Sequence, residues 1–375
     1  MQRPVRLLLI AALALAATCS TGRFTASASG LPAHAAKLRG VAAKIDSFLT
    51  TLTKKGQFQG TALVVKSGKT LLKKGYGWAD LDSGRKNAAG TQFSIGSITK
   101  QFTAAAILQL QERGKLSVGD RICHYVHACP AAWQPITLQM LLTHTSGIPD
   151  FPTRGTDGSV PLTPEALVTR FESEPLDFAP GTHWSYSNSG YDLLGYVIQQ
   201  VSGESWSSYV QQNILTPLGM THSGFEGASP NLQHATGYGT ILGSTPLPTG
   251  SIDSSLIFSA GSLFSTVGDL YAWDQALATT KILSSQSLTE MFMPRVPLAP
   301  HSSASYSYGW VVVPFNGQTV VFHDGSVPGF VSVNIIDPAD KLKVIVLSND
   351  GTADISDIGF ASAAYALKTA TGIQP

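Results

Sequence analysis

The sequence predicts an α/β (α+β) fold in which a central antiparallel sheet, built from N-terminal and C-terminal segments, is flanked by helices and carries an inserted, mainly helical lobe. Strand-like runs lie near both ends of the 375-residue chain, whereas residues 94–304 show mostly helical patterns and loops rich in Gly, Pro and Ser. Hydrophobic residues make up 43% of the chain, enough for a large core. Lys and Arg (25) balance Asp and Glu (24), so the composition disfavours a nucleic-acid-binding protein.

The first 28 residues indicate a secretory signal peptide. Arg3 and Arg6 precede the apolar run Leu7–Ala17, which is too short to span a bilayer. Ala26-Ser27-Ala28 fits the small-x-small site of a signal peptidase. We therefore expect an exported protein, periplasmic or secreted, with no transmembrane helix in the mature chain.

A lipid anchor is the less favoured interpretation of the same segment. Cys19 follows the apolar run where a bacterial lipoprotein carries its acylated cysteine, but Thr18 is a poor residue before such a cysteine. A short linker, residues 29–36, leads to a single predicted domain at 37–372. Its sheet lobe comprises 37–93 and 305–372, and its helical lobe comprises 94–304.

The sheet lobe is predicted to begin with a helix and a hairpin. Apolar residues recur with helical spacing over residues 37–53. Thr61–Lys66 and Thr70–Tyr76 are strand-like, and Gly68 between them supplies a turn. The C-terminal part predicts four more strands and a helix, because β-branched and aromatic runs alternate with turn residues. These are Tyr308–Val313, Thr319–His323, Phe330–Asp337, Leu342–Ser348 and a helix at 354–369.

Cys123 and Cys129 lie close together in the predicted helical lobe. A disulfide is the favoured interpretation, because export permits disulfides and the spacing would close a short loop. The alternative is a metal site that adds His124 and His127, but these adjacent ligands lack the usual zinc spacing. We expect the disulfide and no bound metal.

Ser97 and Lys100 form a Ser-x-x-Lys pattern at the start of a predicted apolar helix. Residues three apart share a helix face, so the Lys100 ammonium can reach the Ser97 hydroxyl. A second match, from Ser83 to Lys86, lies in a turn with no helix to align the pair. We interpret the second match as a chance occurrence.

The chemical reason for the pair is that a serine hydroxyl is a poor nucleophile unless a neighbouring base takes its proton. Burial disfavours the charged form of a lysine and makes Lys100 a usable base. A helix N-terminus also stabilises negative charge that develops beside Ser97. On this segment alone, a helix-capping serine beside a lysine with a buried stem is an equally good interpretation.

Tyr186-Ser187-Asn188 is the only Tyr-x-Asn pattern in the chain. A tyrosine near a lysine can relay a proton, and an amide side chain can fix an acyl substrate by hydrogen bonds. The same residues suit a turn that caps a helix from Ser189 onward, and the two interpretations are compatible.

His323-Asp324-Gly325 follows the strand-like Thr319 to Phe322. Alone it is a weak signal, because His222-Ser223-Gly224 has the same spacing. The order of the three patterns along the chain therefore matters more than any one of them.

Ser-x-x-Lys, then Tyr-x-Asn, then His-x-Gly resembles the serine penicillin-recognising enzymes, which share a β-lactamase/transpeptidase-like fold. The match is closest to the branch that holds class C β-lactamases, D-Ala-D-Ala carboxypeptidases and related esterases. It spans roughly residues 37–370 and includes LLTHTSGIPD, PLGMTHSGF and HDGSVPGF. The resemblance implies a serine hydrolase that forms an acyl-enzyme, needs no cofactor, and acts on a small-molecule or peptide substrate that could derive from peptidoglycan.

The resemblance also implies roles for individual residues. Ser97 would be the acylated nucleophile, and Lys100 and Tyr186 the proton-transfer pair, with the base left open between them. Asn188 and His323 would bind or orient the substrate.

The oxyanion hole implied by the resemblance consists of the backbone N–H groups of Ser97 and Ser326, directly after Gly325.

One departure from the family pattern bears on the substrate. Penicillin-binding members usually carry Lys-Thr-Gly, whose Lys and Thr help to hold the substrate carboxylate. Here His323 is mostly uncharged at neutral pH by its ordinary pKa of about 6.5, and the Asp324 anion could repel a carboxylate. This favours an esterase over turnover of β-lactams or D-Ala-D-Ala peptides, unless strand alternation points Asp324 away from the site.

The alternative from outside the enzymes is a non-catalytic penicillin-binding or peptidoglycan-binding protein of the same fold. That alternative predicts a disabled nucleophile or base, yet Ser97, Lys100 and Tyr186 are all present. The sequence carries neither the G-x-S-x-G nor the H-E-x-x-H pattern of other hydrolases. An enzyme is therefore the favoured interpretation.

Overall fold

The structure is a computed structural model that describes residues 30–150, 161–227, 233–240, 246–249 and 253–367. The predicted signal peptide and Cys19 lie outside the described residues. The residues from Leu38 onward belong to one compact unit. No helix in the described ranges combines the length and the hydropathy needed to cross a bilayer.

The α-helices in these ranges are α1 (Gly30–Lys54), α2 (Thr99–Glu112), α3 (Leu138–Leu142), α4 (Pro164–Thr169), α5 (Asn188–Ser202), α6 (Trp206–Val210), α7 (Thr216–Leu218), α8 (Ser254–Gly261), α9 (Val267–Ala276), α10 (Ser285–Phe292) and α11 (Ile355–Leu367). Helices α2 to α10 all fall in the predicted helical lobe, and α11 matches the predicted C-terminal helix.

The strands are β1 (Gly60–Lys66), β2 (Lys69–Tyr76), β3 (Trp78–Asp80), β4 (Arg85–Lys86), β5 (Phe93–Ser94), β6 (Gly224–Phe225), β7 (Tyr238–Thr240), β8 (Pro246–Pro248), β9 (Leu263–Ser265), β10 (Val296–Pro297), β11 (Ser305–Tyr306), β12 (Val311–Phe315), β13 (Gln318–Val327), β14 (Phe330–Asp337) and β15 (Leu342–Ser348).

Eight of these strands form one antiparallel sheet in the order β10-β11-β12-β13-β14-β15-β1-β2. The two ends of the chain meet where β1 pairs with β15, with Gly60 opposite Ser348. This confirms the predicted sheet of N-terminal and C-terminal segments. The sequence predicts that the sheet lobe resumes at residue 305, whereas β10 already joins the sheet at Val296.

The sheet is covered on both faces. Val64 and Val344 pack into one core with α1 and α11, whereas Leu63 and Ile345 pack into a larger core with the helical lobe. Successive side chains of a strand point to opposite faces, so a strand buried on both faces is apolar at consecutive positions. That is why β15 is mostly Val, Ile and Leu, and why β1 is apolar at four consecutive positions, 62–65.

The hairpin turn between β1 and β2 is the predicted one. Ser67 and Gly68 both have positive φ, 49° and 75°, as in a primed two-residue turn that matches the twist of the flanking strands. In the C-terminal part, β12 starts at Val311 rather than Tyr308, because a turn precedes it in which the Ser307 N–H donates to the Trp310 carbonyl at 2.8 Å.

The largest difference from the predicted strands is in β13. This strand runs on through Asp324, Gly325 and Ser326, which pair with Val333, Ser332 and Val331 of β14. The His-x-Gly pattern therefore lies within the sheet and not at the end of a strand.

Cys123 and Cys129 are joined by a disulfide, as predicted. The bond closes a short loop and takes up both thiol groups. The alternative metal site at these two cysteines is not formed, and no group of three or more His, Cys, Asp or Glu in the described ranges is arranged to hold a metal ion.

Candidate active site

Ser97 and Lys100 lie where a 3-10 turn, Gly96–Ile98, leads into α2. Ser97 is partly exposed, whereas Lys100 is fully buried with 0% relative exposure. The two side chains share a helix face, and the distance from Lys100 Nζ to Ser97 Oγ is 3.0 Å. A reachable hydroxyl thus lies against an amine that solvent does not reach.

Lys100 has two further hydrogen-bond partners. Its Nζ is 2.6 Å from Asn188 Oδ1 and 2.8 Å from the Ala260 carbonyl oxygen. Carbonyl oxygens can only accept, so two N–H bonds of Lys100 are committed to them. The third contact of the nitrogen, beside these two hydrogen bonds, is with Ser97 Oγ. A neutral amine has two N–H bonds and one lone pair, so the lone pair of Lys100 points toward Ser97 Oγ and can accept the proton of the hydroxyl.

The charge state of Lys100 is set mainly by burial. Burial lowers the pKa of Lys100 far below its ordinary value, and the carboxylates of Asp192, Asp150 and Asp324 raise it again in part. The lowered pKa means that a neutral amine is accessible far below the usual lysine range.

Tyr186 lies on the other side of the same pair. Its ring centroid is 4.8 Å from Lys100 Nζ, and its hydroxyl is hydrogen bonded to the Ser97 side chain. Burial raises the pKa of Tyr186 well above its ordinary value and outweighs the opposite effect of the Ser97 hydrogen bond. The phenol therefore keeps its proton and is suited to donate it.

Asn188 is the first residue of α5, and the Ser187 hydroxyl caps this helix by accepting the Gly190 N–H. The helix begins one residue earlier than predicted. The Asp150 carboxylate accepts the backbone N–H of Asn188 at 2.8 Å and its Nδ2 at 3.2 Å. These bonds fix the amide so that its oxygen faces Lys100.

His323 is buried, with 2% relative exposure, and both ring nitrogens are in use. Nε2 is 2.8 Å from the Tyr306 hydroxyl, and Nδ1 contacts the Asp324 carbonyl oxygen. Burial lowers the pKa of His323, so the ring is neutral at neutral pH. This geometry suits an orienting role better than direct contact with a substrate.

The backbone near Ser97 and Ser326 is packed too closely for side chains. A Cβ on Gly325 would lie 2.1 Å from the Ile95 carbonyl oxygen, and one on Gly96 would lie 2.7 Å from Ser326 N. Glycine at both positions lets the 3-10 turn and β13 approach each other. The N–H groups of Ser97 and Ser326 thus belong to two backbone segments in direct contact, as a two-donor oxyanion hole requires.

A small cavity of about 230 Å³ adjoins this part of β13. Ser94, Ile257 and Val327 line it, together with the hydrogen-bonded pair of His234 and Glu226. Neither Ser97 nor Lys100 lines this cavity.

Several site residues were missed from the sequence. Ala260 contributes only a backbone oxygen, for which no sequence signal exists. Asp150 lies within the LLTHTSGIPD segment, and Asp192 follows Asn188 at helical spacing, so a signal existed for both. His144, which accepts the Ser187 N–H at 3.1 Å, belongs to the same segment as Asp150.

The structure does not bring the two competing matches into the site. Ser83 and Lys86 are exposed in the β3–β4 hairpin, where the Ser83 hydroxyl donates to Asp80 Oδ1 at 2.6 Å. His222 lies before β6, with its Nδ1 at 3.7 Å from Asp269 Oδ1. In contrast, Ser97, Tyr186 and Asn188 all lie against Lys100.

The chain is similar to known proteins over most of its length. The sequence model of the Beta-lactamase family matches residues 45–365. PbpX of Bacillus subtilis (strain 168), which carries the name of a penicillin-binding protein, is 36% identical over 293 residues, or 78% of this chain and 71% of that protein. Protein flp of Staphylococcus aureus (strain COL) is 32% identical over 317 residues, or 82% of this chain and 62% of that protein.

Solved structures give the same result. The octameric penicillin-binding protein homologue from Pyrococcus abyssi superposes with a TM-score of 0.78 at 30% identity, covering 87% of this chain and 77% of that chain. The D-amino acid amidase from Ochrobactrum anthropi SV3 superposes with a TM-score of 0.75 at 23% identity, covering 88% of this chain and 98% of that chain. At this lower identity the likeness concerns the fold alone.

Proposed function

Because this chain belongs to the Beta-lactamase family, we propose that it is a serine hydrolase that cleaves an ester or amide through an acyl-enzyme on Ser97. One observation carries the proposal. The buried amine of Lys100 has two N–H bonds committed to carbonyl oxygens and turns its remaining direction to Ser97 Oγ at 3.0 Å. This is the arrangement that activates a serine hydroxyl.

In the proposed first step, neutral Lys100 takes the proton of the Ser97 hydroxyl while Oγ attacks the substrate carbonyl carbon. The negative charge that develops on the carbonyl oxygen is stabilised by the N–H groups of Ser97 and Ser326. The bond to the leaving group then breaks, and the acyl group remains on Ser97. A water molecule later repeats the attack and releases the acid.

Lys100 is a better candidate for the base than Tyr186. Burial favours the neutral form of both side chains, but the neutral form of a lysine is a base, whereas the neutral form of a tyrosine is an acid. Tyr186 is therefore assigned to proton donation toward the leaving group. During hydrolysis of the acyl-enzyme, the attacking water gives its proton to the Tyr186 phenolate, and Lys100 returns its proton to Ser97 Oγ as the acyl group leaves, so both groups regain their starting state.

For the substrate, we propose a neutral ester or amide with no carboxylate beside the scissile bond. Two exposed carboxylates, Asp150 and Asp324, act on the site in addition to the buried Asp192, and among the described residues no other Lys or Arg shifts the pKa of Lys100 or Tyr186. A substrate carboxylate would meet a net negative environment. This favours an esterase or amidase over a carboxypeptidase, with peptidoglycan-derived amides as one source of substrate. We further propose export by the first 28 residues.

The test is covalent labelling followed by turnover assays. A serine-reactive fluorophosphonate should add once to the mature protein by intact mass, and Ser97→Ala should remove the adduct while Ser83→Ala keeps it. Labelling that persists in Ser97→Ala would contradict the proposal.

A short-chain chromogenic ester, a chromogenic cephalosporin and a D-Ala-D-Ala peptide, assayed in parallel, then identify the substrate class. We expect the ester to be turned over fastest. Stoichiometric acylation of Ser97 without turnover of any of them would instead indicate the non-catalytic penicillin-binding alternative.

A further inference from the structure

Helix α5 carries a second polar residue one turn after Asn188, at Asp192. Residues four apart share a helix face, so Asp192 lies on the side of α5 that faces the site. Its side chain is buried, with 1% relative exposure, and the reaction proposed above does not use it. A buried carboxyl group needs a reason, because burial of its charged form is costly.

Asp192 is connected to Lys100 through one residue. Asp192 Oδ1 accepts the backbone N–H of Ala260 at 3.3 Å, and the carbonyl oxygen of Ala260 accepts a hydrogen bond from Lys100 Nζ at 2.8 Å. Neighbouring Ser259 is held on both sides: its hydroxyl donates to the Tyr191 carbonyl at 2.9 Å, and its carbonyl oxygen accepts from Thr103 Oγ1 at 2.7 Å. The Ala260 carbonyl is therefore fixed in place between α2 and α5.

Asp192 and Lys100 also act on each other's ionisation, because burial raises the pKa of Asp192 to about 8 and the charge of Lys100 lowers it in part. The titratable groups around Lys100 are Asp192 and Tyr191 on α5, Asp324 and His323 on β13, and Asp150, His144 and Tyr186 in the adjoining loops. Burial keeps both histidines neutral by lowering the pKa of each.

Among the three carboxylates, Asp192 raises the pKa of Lys100 the most. The other two are exposed, and water and salt screen their charges.

We propose that Asp192 is a positioning residue for Lys100: it fixes the Ala260 carbonyl that aims the amine at Ser97, and it stabilises the ammonium that Lys100 becomes when it takes the Ser97 proton. The inference rests on the proposed function, because it assigns a part in the same proton transfer. Only one proton moves, from Ser97 Oγ to Lys100 Nζ, and Asp192 need not accept it.

The direction of the effect follows from charge. Where Asp192 is ionised, its carboxylate favours the ammonium form of Lys100, so Asp192→Asn should lower the pKa of Lys100 further, by roughly one pH unit. The asparagine can still accept the Ala260 N–H, which preserves the geometry. Lys100 is then a weaker base, and the acid limb of its activity lies at lower pH.

The experiment measures the ionisation of Lys100 directly. Protein labelled with ¹³C-lysine is titrated by NMR, and the Lys100 Cε resonance is assigned by its absence in Lys100→Met. In Asp192→Asn this resonance should titrate at lower pH by roughly one unit. A midpoint unchanged within about 0.2 unit, a fifth of the expected shift, would overturn the inference.

The matched control is Asp274→Asn. Asp274 is also a buried carboxyl group with 1% exposure, it accepts a hydrogen bond from Asn334 Nδ2 at 2.7 Å, and burial raises its pKa to about 8. It is not among the groups that shift the pKa of Lys100. The control should leave the Lys100 titration unchanged, and an equal shift in both variants would show a general effect of buried charge and overturn the inference.

If Asp192→Asn does not fold, the wild-type protein answers the same question. Coupling between the two groups predicts that the Lys100 Cε resonance shows a second inflection where the Asp192 carboxyl carbon titrates. A single inflection in both signals, at unrelated pH values, would overturn the inference.

A parallel pH profile of the fluorophosphonate reaction separates this inference from the proposed function. No adduct in the wild type would end the proposed function, while the NMR titration still decides whether Asp192 acts on Lys100. If both hold, the acid limb of the labelling rate should move to lower pH in Asp192→Asn together with the Lys100 resonance.

Discussion

Two Ser-x-x-Lys segments in this chain have the same spacing and differ in everything else. Ser97 and Lys100 lie at the junction of a 3-10 turn and a helix, with the lysine buried. Ser83 and Lys86 lie in a two-stranded hairpin, both exposed, with Ser83 bonded to Asp80 and Lys86 Nζ 5.4 Å from the Trp78 ring centroid. The pattern is therefore informative only through its surroundings.

The surroundings act on the lysine more than on the serine. Lys86 is exposed at the surface of the hairpin. Lys100 has exchanged water for two carbonyl oxygens and a hydroxyl, and burial makes its neutral form accessible. The difference between a surface lysine and a base is thus made by tertiary contacts from α5 and α8, which are distant in sequence.

The largest expected effect comes from removing each lysine in turn. Lys100→Met should lower the rate of Ser97 acylation by about 10²- to 10⁴-fold, because the base is lost. Lys86→Met, the matched control, should change it less than about twofold, since surface substitutions away from a site have small effects. Both rates are measured with the fluorophosphonate and a chromogenic ester. Equal losses in the two variants would mean that the buried lysine is not the base.

A smaller effect is expected at Tyr186, and it should depend on the leaving group. Tyr186→Phe removes the proton donor, so hydrolysis of an amide should fall by about 10²-fold. A nitrophenyl ester, whose leaving group needs no proton, should be affected far less. The two substrates are compared by kcat/KM in the same preparation. Equal losses on both would assign Tyr186 to activation of Ser97 instead of the leaving group.

The third effect is a pH dependence. Lys100 acts as a base only when neutral, so the acylation rate should fall about tenfold for each pH unit below the pKa of Lys100. Because burial lowers that pKa, the acid limb should lie well below the usual lysine range near pH 10. The rate is measured with fluorophosphonate from pH 4 to 10. A limb near pH 10 would show that burial does not neutralise the amine.

Sequence reasoning predicted the sheet and the central pair because both depend on local patterns. Two strand-like runs joined by the Ser67-Gly68 turn mark the hairpin, and the helix start aligns Ser97 with Lys100. The Ala260 carbonyl, in contrast, reaches Lys100 because Ser259 packs between two helices. Such contacts between distant segments leave no trace in local composition.

The end of β13 is a second feature that local sequence patterns did not predict. Residues such as Asp324 and Gly325 are typical of turns, and the sequence ends the strand at His323 for that reason. The structure keeps them in the sheet because Gly325 has no side chain. A Cβ at this position would collide with the Ile95 carbonyl oxygen and the Ser332 hydroxyl. A glycine that marks a turn in one context marks a close backbone approach in another.

The smallest expected effect concerns the charge at Asp324, which lies at the surface of β13 with its side chain 56% exposed. Its carboxylate still influences the pKa of Lys100 and Tyr186, so it is within electrostatic reach of the reacting atoms. A half-exposed charge interacts with a substrate carboxylate a few ångströms away by about 1 kcal/mol, close to the bulk-water limit. Asp324→Thr should therefore raise kcat/KM for a carboxylate-bearing ester severalfold relative to its neutral analogue.

The control for this prediction is Asp82→Thr, which removes an exposed carboxylate from the hairpin that holds the Ser83–Lys86 pair. It changes the net charge equally but is not among the groups that shift the pKa of Lys100. The ratio of kcat/KM for the two esters should then stay at the wild-type value, and added salt should shrink the Asp324→Thr effect because screening weakens exposed charges. An interaction of about 1.4 kcal/mol would change this ratio tenfold. If the ratio in Asp324→Thr stays within about twofold of the wild-type value, other residues determine the choice of substrate.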